Sequence, residues 1–116
     1  VFNWRDVTPE TGLHGGVVTW PLLRGVEADG GPSFRHCLMG FRLFVMQRLI
    51  RGKTSDYHRH EDFEQVYYIL EGWGSMLIDG TIHSGAEGDT VYLPPGVPHQ
   101  ILNEECDGWL SYLVVS

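Results

Sequence analysis

Cysteine and long apolar runs are scarce in this chain of 116 residues. Its two cysteines, Cys37 and Cys106, make neither a disulfide framework nor a C-x-x-C pair. We therefore expect free thiols in a reduced compartment, the cytoplasm, with a single Cys37–Cys106 bridge as the alternative. No apolar run approaches the ~20 residues of a membrane-spanning helix, and no signal-peptide core is visible. We therefore expect no membrane partner.

Basic residues are also few, with 8 Lys and Arg against 15 Asp and Glu and a formal net charge of -7. Binding to nucleic acid needs a basic patch, so we expect no nucleic-acid partner. An anionic membrane surface would repel the chain. An anionic small-molecule substrate is still compatible with this charge, because a bound metal can dominate the local field.

Glycine, by contrast, is frequent, with 15 residues that separate short apolar runs. This spacing is typical of an all-β sandwich or barrel, and no window carries a capped helical stripe. Parallel strands need crossover connections, so we predict antiparallel pairing, with a tight hairpin at Asp79-Gly80. Residues 1–40 are interpreted as an N-terminal extension with edge strands, and residues 41–116 as the barrel of the same domain. The predicted strands are 17–20, 41–50, 65–70, 75–79, 81–83, 90–93, 100–102 and 110–115.

Histidines cluster in two short segments of the sequence. His58 and His60 are two residues apart, so on an extended chain both imidazoles point to one face. His99 follows the tight proline-glycine turn at residues 94–96. Neutral imidazole is a good ligand for several divalent transition metals. Three histidines at these spacings are not explained by packing, so the sequence predicts a metal site.

The two segments resemble the two conserved motifs of the cupin superfamily. The first motif is G-x5-H-x-H-x3or4-E-x6-G, and the second is G-x5-P-x-G-x2-H-x3-N. The resemblance implies an antiparallel double-stranded β-helix, or jelly-roll barrel, with the metal inside its mouth. The matching positions are Gly52, His58, His60 and Gly72 in the first motif, and Gly88, Pro94, Gly96, His99 and Asn103 in the second.

One position departs from the family pattern. Counting six residues back from Gly72 puts the fourth metal ligand at Gln65, where the motif has glutamate. A glutamine carbonyl is neutral, so the ion would keep its full charge and favour an anionic substrate oxygen. The alternative ligand is Glu64. Adjacent residues on a strand face opposite sides, so only one of the two can serve, and the motif count favours Gln65.

The resemblance implies one divalent transition metal per chain, Fe, Mn, Ni or Zn, on His58, His60, Gln65 and His99. Such a ligand set leaves open positions for a small-molecule substrate. Our main hypothesis is a mononuclear non-haem dioxygenase acting on a small oxygen-rich molecule. One alternative is a lyase or isomerase that works through an enediolate and needs a base. Another is a cupin that binds or senses a small molecule without turning it over.

Other residues are assigned with less support from the sequence. Glu64 and Tyr92 are candidate acid–base residues, and Gln47 is either a polar group of the pocket or a solvated edge residue. We also expect a homodimer. The edge strand at residues 17–20 and an exposed face with Phe44 and Met46 would contribute to it, because open sheet edges tend to be covered.

Overall fold

A computed structural model describes residues 2–26, 35–104 and 107–116 of the chain. Cys106 lies outside them, and Cys37 carries a free, exposed thiol. No helix in this described part has the length and apolarity to span a membrane. After a 3-10 turn at Trp4–Asp6, the strands are β1 (Glu10–Thr11), β2 (Val18–Gly25), β3 (His36–Leu38), β4 (Leu43–Leu49), β5 (Lys53–Thr54), β6 (Gln65–Glu71), β7 (Trp73–Ile78), β8 (Thr81–Ala86), β9 (Thr90–Leu93), β10 (His99–Asn103) and β11 (Leu110–Val115).

These strands form two sheets. The larger has the order β1-β2-β4-β11-β6-β9, with β3 added beside β2, and the smaller has the order β5-β10-β7-β8. Among the described strands, every pair is antiparallel except β2 with β3, which is parallel. The antiparallel prediction is confirmed for the two sheets, with this one parallel pair as an exception. The all-β jelly-roll prediction is confirmed, as two hydrogen-bonded sheets over the described residues.

The hydrophobic core lies between the two sheets. Strand alternation turns Val45 and Leu49 of β4 inward, together with Tyr112 and Val114 of β11. The smaller sheet contributes buried side chains from β7 and β10 to the same cluster. Because side chains alternate along each strand, the inner faces bury these apolar groups, whereas outward-facing residues such as Tyr68 of β6 and Ile82 of β8 are exposed.

The hairpin prediction at Asp79-Gly80 is confirmed. Strands β7 and β8 pair antiparallel on either side of it. Asp79 has φ 46° and Gly80 has φ 81°. Two successive positive φ values are what a two-residue type I′ turn requires, and its twist matches that of the flanking strands.

The face expected to be exposed at Phe44 and Met46 is largely covered. Met46 is only 6% exposed. Its neighbour across the sheet is Trp20, against which Trp4 packs edge-on at 5.4 Å between ring centroids. The N-terminal segment thus lies over this face, which corrects the expectation that Met46 is exposed. The homodimer itself stays a prediction.

Candidate metal centre

The segment that carries His58 runs alongside β10. His58 and His99 form an antiparallel bridge, with the His58 N–H donating to the His99 carbonyl at 3.0 Å and the reverse bond at 2.8 Å. Residues paired in this way direct their side chains to the same face. His60 is two residues further along, and its carbonyl accepts from the Gly96 N–H at 2.7 Å. Backbone register therefore brings two distant segments of sequence together.

The three imidazoles converge, and we call His58, His60 and His99 the inner triad. The ring centroids of His58 lie 4.5 Å from His99 and 4.9 Å from His60. Those of His60 and His99 are 5.6 Å apart. One nitrogen from each ring lies within 4.8 Å of the others. This arrangement could hold one metal ion on imidazole nitrogens.

Backbone carbonyls fix the orientation of two of these rings. His58 Nδ1 lies 3.0 Å from the Asp56 carbonyl oxygen, and His99 Nδ1 lies 2.9 Å from that of Val97. A carbonyl only accepts, so both Nδ1 atoms carry the proton and both Nε2 atoms keep a free lone pair. His99 Nε2 is buried and has no hydrogen-bond partner. A buried acceptor without a partner is costly, and a metal ion would satisfy it.

Gln65 faces the same interior from the opposite sheet. It is the first residue of β6, is 7% exposed, and its Oε1 is buried without a hydrogen-bond partner. Tyr67, the next inward residue of β6, brings its ring to 6.1 Å from that of His99. Gln65 Oε1 is thus a second buried acceptor without a partner, in addition to His99 Nε2. The pair fits a four-ligand set of three imidazoles and one amide oxygen. The assignment of all four ligands stays a prediction.

Two imidazoles of this centre, those of His60 and His99, have lowered pKa values. Burial, followed by the neighbouring imidazoles of His58 and His99, lowers the pKa of His60 to about 4. Burial is also the largest cause of the lowered pKa of His99. Neutral imidazole is the form that binds a metal. The environment therefore prepares these two side chains as ligands rather than as cations.

Of the three sequence-predicted candidates, Glu64 and Tyr92 lie together on the surface, whereas Gln47 is buried. Glu64 and Tyr92 are exposed, and the Tyr92 hydroxyl donates to Glu64 Oε2 at 2.7 Å, away from the buried Gln65. Gln47 is buried on the inner face of β4, and its Nε2 donates to Thr19 Oγ1 at 3.1 Å. Only Gln47 thus has the placement of a pocket residue. A catalytic role for any of the three stays a prediction.

Sequence reasoning gave no role to Phe63, Arg42 or Tyr67, although it named Tyr112 as a possible residue of the pocket mouth. The Phe63 ring stacks on His60 at 4.5 Å, and the Arg42 guanidinium lies 3.9 Å above Phe63. Tyr67 stacks on Tyr112 at 5.3 Å, which extends an aromatic wall inward from His99. The position of Phe63 three residues after His60 was the available signal for the first contact. The others depend on pairing between distant strands and have no local signature.

A jelly roll with histidines converging from two paired segments defines a small β-protein whose interior is suited to a single metal ion. The cupin domain family model matches residues 45–116, more than half of the chain. The chain therefore belongs to the cupin family, and the resemblance drawn from its two motifs is confirmed.

Three known proteins illustrate the likeness. An uncharacterized protein of Methanocaldococcus jannaschii is 44% identical over 52 residues, which are 45% of this chain and 42% of that protein. The 5-aminosalicylate 1,2-dioxygenase of Comamonas sp. is 29% identical over 63 residues, which are 54% of this chain and 17% of that enzyme. Each match thus spans less than half of the curated relative. The crystal structure of a predicted oxalate decarboxylase from Thermotoga maritima has a TM-score of 0.80 and 28% identity, covering 99% of this chain and 96% of that one.

Proposed function

We propose that this protein is a mononuclear metal enzyme that acts on a small molecule with two oxygen donors, as a dioxygenase when the metal is iron. One observation carries the proposal: the polar groups of the interior are uncharged. Among the described residues, the buried side chains that are not hydrophobic are Thr19, Gln47, Ser55, Gln65, His99, Asn103 and Ser111. This set includes no carboxylate and no amine.

A neutral ligand set influences which substrate binds. The inner triad and Gln65 would add no negative charge to the ion they hold, so the ligands themselves would leave its positive charge uncompensated, and the Asp56 carboxylate beside His58 lies outside this ligand set. Uncompensated charge favours an anionic substrate that binds through two oxygens, such as an enolate or a carboxylate beside a hydroxyl. The metal supplies Lewis acidity and, as iron, a place for dioxygen.

The interior also favours reaction with O2 over proton-transfer chemistry. A lyase or isomerase that forms an enediolate needs a base positioned at the substrate. Glu64 is exposed and hydrogen bonded to Tyr92 on the outside of the sheet. Burial raises the pKa of Tyr67, so its hydroxyl stays protonated and serves as a donor that orients substrate. A dioxygenase does not need a protein base of this kind.

A second candidate is metal-dependent decarboxylation of a small dicarboxylate. It is favoured by the Thermotoga maritima structure, described as a predicted oxalate decarboxylase, which matches this chain over nearly its whole length. A dicarboxylate would bind a metal through two oxygens as well. The reaction would release CO2 and leave formate, consuming one proton and no net O2.

The test uses metal-free protein reloaded anaerobically with Fe²⁺ and offered 1,3-diketones, ortho-aminophenols, hydroxybenzoates and oxalate. Oxygen consumption is measured together with product mass after reaction in ¹⁸O2. We expect O2 uptake with one organic substrate class and both labelled atoms in the product. Release of CO2 and formate from oxalate would favour the second candidate. Tight binding without a product would contradict both and favour a binding protein.

Two variants make the test specific. His99→Ala should abolish turnover, because it removes a predicted ligand of the inner triad. Glu64→Ala should retain it, because Glu64 contacts Tyr92 on the outer surface. Loss of activity in Glu64→Ala with retention of metal would instead identify Glu64 as part of the reaction.

A further inference from the structure

A second cluster of metal-binding side chains lies beside the inner triad, and it begins with the placement of His14. The segment before β2 packs tightly on residues 53–56, where the Gly16 N–H donates to the Thr54 carbonyl at 2.8 Å. Gly15 has φ +61°, and a Cβ there would lie 2.9 Å from the Asp56 nitrogen. Only glycine, which has no Cβ, can adopt that φ and also lie so close to the Asp56 backbone. The Gly15-Gly16 pair therefore lets the segment reach the metal centre.

The consequence is a second triad, which we call the outer triad, of His14, Asp56 and His58. The His14 ring stacks on His58 at 4.9 Å between centroids, with the planes 22° apart. Asp56 Oδ1 lies 3.5 Å from His14 Nδ1 and 3.4 Å from His58 Nδ1. One ligand atom from each of the three lies within 4.8 Å of the others. His14 Nδ1 is buried and has no hydrogen-bond partner.

The separations are those of neighbouring ligands around an ion rather than of charged hydrogen bonds. A charge-assisted N–H···O bond is about 2.7–2.9 Å long. Ligands at about 2.0–2.1 Å from a tetrahedral Zn²⁺ are separated from each other by about 3.3–3.4 Å. The distances to Asp56 Oδ1, 3.4 Å from His58 and 3.5 Å from His14, lie closer to the second value than to the first. Two imidazoles and a carboxylate are also a ligand set that Zn²⁺ accepts, with a fourth position left for water.

We propose that the outer triad is a second divalent-cation site, suited to Zn²⁺ and distinct from the inner triad. Access is direct, because the side chains of His14 and Asp56 are 35% and 50% exposed. His58 belongs to both triads, so filling both sites would release its Nδ1 proton to solvent and leave a bridging imidazolate, with Nε2 on the inner ion and Nδ1 on the outer one. The outer ion must displace the contact between His58 Nδ1 and the Asp56 carbonyl, so it binds more weakly than the inner ion.

The first measurement is a Zn²⁺ titration of metal-free protein by calorimetry, with bound zinc determined by elemental analysis. Wild type should bind about two equivalents and His14→Ala about one, because this change leaves the inner triad intact. His83→Ala is the matched control. It removes an exposed histidine of β8 outside both triads and should still bind about two. Equal stoichiometry in wild type and His14→Ala overturns the proposal.

The second measurement locates the ions by zinc-edge anomalous scattering from crystals of wild type and His14→Ala saturated with Zn²⁺. A peak between His14, Asp56 and His58 in wild type, absent in His14→Ala, supports the outer site. Its absence in wild type refutes that site. A peak at the outer triad without one at the inner triad would support this inference and contradict the proposed function, so the two failures are distinguishable.

Discussion

His58 and His99 lie directly opposite each other across an antiparallel bridge, and each donates its backbone N–H to the other's carbonyl oxygen. The bridge fixes both imidazoles on the inner face, although the two residues are far apart in sequence. Each ring is then oriented by a second carbonyl at Nδ1. The geometry of the inner triad is thus determined by backbone pairing, before any metal binds.

Removal of His99 tests the inner triad most directly. We expect His99→Ala to weaken Zn²⁺ binding at this site roughly 100-fold or more, since loss of even a supporting partner costs about 10–100-fold. Competition against a chromophoric chelator measures the affinity. His83→Ala, exposed on β8, is the control and should bind as wild type does. Unchanged affinity in His99→Ala would contradict the ligand assignment.

Substitutions at position 65 distinguish the two candidates for the fourth ligand. Gln65→Glu should retain the metal, because a carboxylate replaces the amide oxygen with a stronger donor. It should also weaken binding of an anionic substrate about tenfold, because the site becomes less positive. Gln65→Ala should weaken metal binding, and Glu64→Ala should not. The reverse pattern in these two alanine variants, measured by equilibrium dialysis, would assign the ligand to Glu64.

The lowered pKa of His60 predicts how the stability of the metal-free protein depends on pH. An unfolded histidine titrates near 6.5, whereas the pKa of His60 is about 4 in the folded protein. Between these values the unfolded chain binds more protons, so stability should fall as pH drops from about 6.5 to about 4. Thermal unfolding across this range measures the slope. His60→Gln should flatten it, and an identical slope in that variant would refute the attribution.

Substitution of Asn103 should lower the stability of the fold without affecting metal binding. Its Nδ2 donates to the Leu49 carbonyl at 2.9 Å and to the Gly108 carbonyl at 3.1 Å, and the residue is fully buried. Asn103→Ala removes both donors, so we expect a loss of about 2 kcal/mol in the free energy of unfolding. Urea denaturation measures it. Metal stoichiometry should remain that of wild type, and a selective loss of metal without destabilisation would contradict this role.

The parts of the site that could be predicted are those set by local spacing. Alternation along an extended chain predicted that His58 and His60 share one face. The motif count favoured Gln65 over Glu64 as the fourth ligand. The structure agrees on facing, since Gln65 is buried and Glu64 exposed. Most of the longer strands were predictable because glycine and proline mark their ends, but β2 continues through Pro21 to Gly25, and β1, β3 and β5 were not predicted.

What could not be predicted depends on long-range pairing. His14 lies next to His58 only because the segment before β2 packs on residues 53–56, and nothing near His14 specifies that partner. The same holds for Arg42 above Phe63, and for Met46, whose burial follows from the N-terminal segment lying over its sheet. Sequence patterns report which face a residue takes, but not which distant segment covers that face.

The predicted ligands come from both layers of the sandwich, and this has a mechanical consequence. His99 belongs to the smaller sheet, His58 is bridged to it, and Gln65 begins β6 of the larger sheet. An ion held by all of them would link two layers that are otherwise joined by apolar contact and by the hydrogen bond from Asn103 to Leu49. At a free ion concentration of 100 Kd, binding would raise the free energy of unfolding by about 2.7 kcal/mol. Loading should therefore slow amide hydrogen exchange in β6 and β10 together, so that the two sheets open as one unit.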